Sequence, residues 1–447
     1  MTKNFDLIVI GVGMAGLNIV RKCRSAGWEV AVVDSLPYGG TCMLRGCDPK
    51  KVLVGAAELV DWQRRMAGHG VTGDVRIDWA DLMRFKRTFT DPAPANVEKS
   101  LQKMGVATYH GHARFSGQTT LRVGDEELMG KHIVVATGAV PRALGIPGAE
   151  LVTTSTEFLE LAALPERIVF VGGGYISFEF AHIAARAGAV VTILHRGERP
   201  LEGFDADLVE QLVAASRDIG IDIRLQTEVT AIERTDAGLI VHTAHDGERY
   251  EADMVVHGAG RVPAIEGLGL DSAGVEYGER GIVVNEYLQS ISNPAVYAAG
   301  DATVINGMPL TPVAVTEGHV VASNLLKGNH RVPDYTGVPS VVFTIPALAK
   351  AGLGEDEARA QGLEFAVNHQ DTSGWYSARR TNEKHTGFKV LIEEKTGRIL
   401  GAHLLGAHAG EVINLFALAI RNGLTATDIK KTVFVHPAEA ADISYMV

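Results

Sequence analysis

The stretch "LIVIGVGMAGLNIVRKCRSAGWEVAVVD", residues 7–34, decides the fold. An apolar run enters Gly11, Gly13 and Gly16, a helical segment follows, and a second apolar run stops at Asp34. The spacing predicts a strand, a tight turn, a helix and a second strand. Glycines let the backbone approach a pyrophosphate, and a helix N-terminus offers free N–H groups and a positive dipole end. Asp34 stands about 20 residues on, where a carboxylate accepts hydrogen bonds from a ribose.

The pattern returns at 168–195, "IVFVGGGYISFEFAHIAARAGAVVTILH". Gly172 and Gly174 take the first two glycine positions, and Ser177 replaces the third. The second strand ends at His195, so there is no ribose carboxylate, and Arg196 follows it. An arginine here suits a 2′-phosphate through charge-assisted hydrogen bonds, with Arg199 near enough to help. This favours NADPH, with NADH as the alternative. Two such folds imply two dinucleotides, economically FAD in the first and a nicotinamide in the second.

The second module reads as an insertion into the first. "VVATGAVP" (134–141), with Thr137 and Gly138, is where the chain leaves the first module, and "DMVVHGAGRVP" (253–263), with Gly260 and Arg261, is where it leaves the second. "NPAVYAAGDAT" (293–303) presents Gly300 and Asp301, whose carboxylate can reach a ribityl hydroxyl. A helix is expected from Thr311–Pro312. Beyond 335, a hairpin turning at Gly397 and a helix over 409–423 predict a third, mixed domain. The expected fold is α/β, with two Rossmann-like domains, one inserted in the other, and a C-terminal α+β dimerisation domain. The boundaries are 1–149 and 264–334 for FAD, 150–263 for NAD(P)H and 335–447 for the interface.

Composition bounds the partners. A net charge of −11 without a long basic run argues against nucleic acid. No run of 18 apolar residues predicts a membrane span. Three cysteines in 447 residues make no disulfide scaffold; the expected compartment is the cytoplasm. Yet two of them share "GGTCMLRGCDPKK", residues 39–51. A redox pair, half of a metal site and coincidence all fit that spacing, although no further cysteines supply the about four ligands of structural zinc.

With "GGGYISFEF", "YAAGDA", "LTPVA" and "VFVHPAEAAD" following in order, the chain resembles the class I pyridine nucleotide–disulfide oxidoreductases over its whole length. These include glutathione reductase, dihydrolipoyl dehydrogenase and mercuric reductase. The resemblance implies that hydride passes from NADPH through FAD to a Cys42–Cys47 disulfide, and on to a small disulfide. It makes Cys42 the thiol that attacks substrate and Cys47 the thiol beside the flavin. Lys50 stands near the flavin, with Glu179 as its ion-pair partner. Tyr175 covers the nicotinamide site and Asp301 holds the ribityl chain. His436 becomes the acid–base group contributed across an obligate homodimer. Gly40 and Thr41, Thr137 and Gly138, Gly260 and Arg261, Gly300 and Thr311 complete the expected cofactor lining. No resident metal is expected.

Lys50 can stabilise electron-rich flavin, and an imidazole can protonate a departing thiolate. Arg45 and Asp48 are expected to push the thiols' acidity in opposite directions. Cys23 reads as a core residue.

Departures qualify the resemblance. Where the family carries "HPTxxE", this chain has "HPAEAAD", with Ala441 in the glutamate's position. Losing an orienting carboxylate costs rate when the tautomer is lost. Glu439 and Asp442 are nearby alternatives. Met14 and His319 replace a serine and an arginine of the glutathione site, and Glu202 replaces the second 2′-phosphate arginine. The expected substrate is a small disulfide other than glutathione. A dihydrolipoyl dehydrogenase, a flavin-dependent quinone or metal-ion reductase, and a non-catalytic flavoprotein are the competing readings.

Overall fold

The computed structural model describes residues 2–244, 247–303 and 308–447. The chain divides into two compact units, each built from three segments. The first comprises residues 1–50, 84–142 and 261–335, and the second 51–83, 143–260 and 336–447.

The first unit is organised by the glycine-rich stretch. The strand Lys3–Ile10 runs into Gly11, the helix Met14–Ser25 follows, and the strand Val30–Asp34 returns parallel to the first, Ile10 facing Val33. Ala107–His110 adds beyond Val30–Asp34, and Glu126–Val135 pairs on the other side of Lys3–Ile10, all parallel. Val296–Ala298 extends the parallel arrangement from Glu126–Val135. The apolar runs are continuous because strands covered on both faces need no alternation. Leu7, Val9, Val32 and Val134 pack on one face, and Ile8, Ile10, Val33 and Ile133 on the other. Cys23 is fully buried in the first of these cores, as expected.

The second unit repeats the strand order. Asp222–Arg224, Val190–Leu194, Arg167–Val171 and Met254–His257 form a parallel sheet, with the helix Tyr175–Arg186 between its first two strands in sequence. Ser177 is fully buried at the third glycine position, where Gly258 makes room: a Cβ there would lie 1.9 Å from the Ser177 hydroxyl. This unit also holds a five-stranded antiparallel sheet in the order Ser340–Val342, Ala347–Gly352, Ile399–Gly406, Gly387–Glu393 and Phe365–Asp371. The hairpin turns at Gly397 with φ +73°, and the helix Ala409–Arg421 packs Ile413 and Phe416 into that sheet's core.

Inside the second unit, Asp205, Asp207 and Glu355 are spaced as metal ligands. The Lys389 ammonium lies among them, at 2.8, 2.5 and 2.8 Å. Burial works against its charge, but the three carboxylates outweigh it and raise the lysine's pKa. Replacing Lys389 with methionine leaves Asp205, with 6% of its side chain exposed, without its cation. That is expected to destabilise the protein by about 3 kcal/mol. A urea midpoint equal to wild type would refute this.

Candidate active site

The thiol segment is fixed to the first dinucleotide loop by backbone. Gly39 N–H donates to Val12 C=O at 3.0 Å. Gly40 has φ +69°, and a Cβ there would lie 2.5 Å from Gly13 Cα. No other residue permits that approach without displacement. Helix Gly40–Arg45 then carries Thr41 and Cys42, and helix Cys47–Met66 starts at the second cysteine.

Cys42 and Cys47 are free thiols, and they are electrically unequal. Cys47 is pulled down to about 6 by the hydrogen bond from Cys42; Thr311 and the Lys50 charge add to this, while burial and Asp48 oppose it. The Thr311 hydroxyl lies 3.4 Å from Cys47 Sγ. Cys42 is pushed well above the ordinary thiol range, first by its hydrogen bond to Cys47 and then by burial. The pair is therefore polarised, Cys47 toward the thiolate and Cys42 toward the protonated thiol. Asp48 acts in the expected direction. Arg45 does not share that setting: burial lowers its pKa, and the charges acting on it are Asp34 and Arg261. The side chain between the cysteines belongs to the dinucleotide end of the site.

The residues expected to hold FAD fit a dinucleotide. Gly11 has φ +100°, and a Cβ there would meet Ala136 O at 2.3 Å; on Gly16 it would meet Gly11 O at 2.1 Å. Gly13 caps a helix that has no side-chain cap, so its first N–H groups remain for a ligand. Asp34 is positioned by Val12 N–H at 2.8 Å and Leu36 N–H at 2.9 Å. Thr137 Oγ1 is buried without a hydrogen-bond partner among the described residues, beside Gly138 with φ +73°. Arg261 donates to Ala139 C=O and acts on Asp301, whose carboxyl burial pushes upward. Thr311 opens its helix as expected.

Sequence reasoning missed Glu317. Its carboxylate accepts from Gly300 N–H at 2.6 Å and from the Tyr335 hydroxyl at 2.7 Å. It thereby fixes the turn that presents Asp301. Burial, with Asp301 nearby, raises Glu317 to about 7. The signal was a glutamate on an otherwise apolar helical face, buried at 4% exposure.

In the second unit, Gly172 has φ +101° and Gly174 caps the helix Tyr175–Arg186, again without a side-chain cap. Tyr175 is half exposed on its first turn, and Gly260 has φ +102°. Arg196 and Arg199 are exposed after the strand end. Glu179 is buried and accepts from Phe343 N–H at 2.8 Å. In the first unit, Lys50 is likewise buried. His436 is exposed, beside Val433 and Val435 at 95% and 79% exposure. Both nearby acids have other partners. Glu439 pairs with Arg380 at 3.1 Å and His408 at 3.6 Å, and Asp442 accepts from Ser377.

The lowered pKa of Cys47 has a pH consequence. Cys47 stays ionised above pH about 6 and becomes protonated as pH falls through that value. Alkylation of Cys47 in reduced protein, mapped by mass spectrometry, is expected to follow that inflection. Replacing Thr311 with valine removes a donor and is expected to move it upward by about 1 unit. An inflection unmoved in the variant contradicts the assignment.

Comparison with known proteins gives the family. Residues 5–318 match the family model described as pyridine nucleotide-disulphide oxidoreductase, and residues 338–446 match that family's dimerisation domain. A glutathione reductase of Burkholderia cepacia is 34% identical, covering 98% of this chain and 97% of its own. A dihydrolipoyl dehydrogenase of Haloferax volcanii is 30% identical, covering 97% and 94%. The structure of a Cu(II) complex of the HOCl-induced flavoprotein disulfide reductase RclA from Escherichia coli superposes with a TM-score of 0.90 at 29% identity, covering 100% and 99%. The chain belongs to the pyridine nucleotide–disulphide oxidoreductases, as an FAD- and NAD(P)H-dependent oxidoreductase with disulfide-reductase chemistry and a C-terminal dimerisation domain.

Proposed function

We propose that this protein uses NADPH to reduce a small disulfide other than glutathione, through Cys42 and Cys47, as a cytoplasmic homodimer. The domain division follows the sequence boundaries: 1–149 and 264–334 for FAD, 150–263 for NADPH and 335–447 for the dimer contact. The observation that carries the reading is the pair of free thiols with the Thr311 hydroxyl 3.4 Å from Cys47 Sγ, an environment that pulls Cys47 below and pushes Cys42 above the ordinary thiol range. FAD, when bound, supplies the two-electron exchange between a nicotinamide and a sulfur.

The chain's own residues do the rest. Cys47, as thiolate, is the sulfur suited to lie beside the flavin. Cys42 must lose its proton to attack a disulfide, because the thiolate is the nucleophile. That calls for a base, the role proposed for His436 of the second subunit. Attack joins Cys42 to one substrate sulfur and releases the other as a thiolate, which takes a proton from the imidazole. Cys47 then attacks Cys42, closing the internal disulfide and releasing the second substrate sulfur as a thiolate, which takes its proton from solvent. Lys50 and Glu179 keep the roles that the resemblance gives them. Met14 and His319, where polar glutathione contacts stand in the family pattern, argue for a different disulfide.

A metal-ion acceptor is the second reading. It is favoured by the engagement of Glu439 and Asp442, on the helix that follows His436, with other partners. The Cu(II) complex of the E. coli protein gives that reading a concrete ion to assay.

The Cys42→Ser holoenzyme is expected to lose disulfide reduction by at least about 1000-fold while NADPH still reduces its flavin. Wild-type rates in that variant would defeat the proposal. Replacing His436 with alanine is expected to cost about 100-fold with a disulfide acceptor. Undiminished Cu(II) reduction alongside negligible disulfide turnover in wild type would favour the second reading.

A further inference from the structure

Asp48 directly follows the second thiol and has no part in the steps above. It lies in the first turn of the helix Cys47–Met66 and is exposed, as is Cys47. An aspartate there ordinarily accepts hydrogen bonds from free backbone N–H groups, which lower its pKa. Among the described residues its carboxylate has no hydrogen-bond or ion-pair partner, and partial burial pushes its pKa up instead. It does not serve as a cap.

The cations nearest in sequence do not neutralise it. Lys50 is two positions on, and helical residues two apart do not face each other. Lys50 is also buried, where Asp48 is open to solvent. Lys51 pairs with Glu58 at 3.3 Å. The charges acting on Arg45 are those of Asp34 and Arg261. Asp48 acts on the thiols: its charge opposes ionisation of both Cys42 and Cys47, whereas Lys50 is felt at Cys47. The sulfur assigned to attack the substrate therefore stands in reach of an unneutralised carboxylate that faces solvent.

A disulfide has to bring one of its sulfurs up to Cys42, and the groups flanking that sulfur approach the carboxylate with it. A carboxylate on the substrate there meets a like charge, and an ammonium meets an opposite one. Both effects grow as the approaching molecule displaces water. A repelled competitor sharpens selectivity as surely as an attracted substrate. We propose that Asp48 is a specificity-determining residue of the thiol site, selecting small disulfides with neutral or cationic groups next to sulfur over those with carboxylates there. The inference rests on the disulfide-reductase reading above.

The test uses the FAD-loaded dimer as wild type, Asp48→Asn and Asp48→Glu. Turnover with NADPH gives kcat/KM for cystamine, bis(2-hydroxyethyl) disulfide and dithiodiglycolate, whose arms are cationic, neutral and anionic. Dividing variant by wild type cancels their intrinsic reactivities. In Asp48→Asn the preference for cystamine over dithiodiglycolate is expected to fall about 10-fold, with the neutral disulfide changing by an intermediate factor. Asp48→Glu keeps the charge, and its preference is expected to stay within about threefold of wild type. An Asp48→Asn change equal for all three disulfides reflects thiol acidity alone and overturns the inference. A second readout needs no turnover: the ratio of iodoacetate to iodoacetamide alkylation rates at Cys42 in reduced protein. Both reagents meet the same thiolate, so their ratio reports the charge beside it. That ratio is expected to rise about threefold in Asp48→Asn and to be flattened by salt in wild type. An unchanged ratio overturns the inference. Wild-type protein that turns over none of the three disulfides defeats the disulfide-reductase reading, while the alkylation ratio still decides the role of Asp48.

Discussion

The close approach of Gly40 to Gly13 is the constraint on which the first unit's chemistry depends. Two backbones meet there without side chains, and the Gly39 hydrogen bond to Val12 fixes their register. The loop that fits a pyrophosphate and the loop that carries both thiols become one rigid piece. A reactive sulfur on an independent surface loop would have to be ordered each time it reacted. Here the ordering is done on folding, which is how an active site holds reacting atoms at low entropic cost. The helix starting at Cys47 then adds Lys50 one turn on, and Thr311 enters from the start of a distant helix. The thiolate is stabilised by groups that the fold has already placed.

The second unit shows the same supersecondary design with two exchanges. Ser177 replaces a glycine, and Gly258 across from it supplies the lost space. His195 replaces a carboxylate and keeps its hydrogen bond to the backbone of the glycine loop. The architecture tolerates both because what it requires is a small contact in one place and an acceptor in the other.

Much of this was legible in the chain. The glycine spacing at 11, 13 and 16 and at 172 and 174 foretold both modules, because positive φ and close backbone approach leave few other residues. The hairpin at Gly397 and the helix from Thr311 followed from turn and start signals. Three features were not legible. Arg45 sits between the cysteines in sequence, yet a short helix and the turn at Gly46 place its charge with Asp34 and Arg261. Glu317 could not be assigned, since its partners Gly300 and Tyr335 are brought to it only by the tertiary fold. The ring of His195 reads as a missing carboxylate until its hydrogen bonds are seen. Periodicity reports backbone geometry; the destination of a polar side chain depends on contacts distant in sequence.

The central claim is that Cys42 and Cys47 form a redox couple in electronic contact with the bound flavin. Anaerobic reductive titration of the oxidised holoenzyme tests it most directly, with electrons counted per FAD. The account predicts uptake of about four electrons in wild type, two for the flavin and two for the disulfide, and about two in Cys47→Ser. Wild-type protein that is fully reduced by two electrons per FAD, with both thiols still blocked to alkylation, would contradict it.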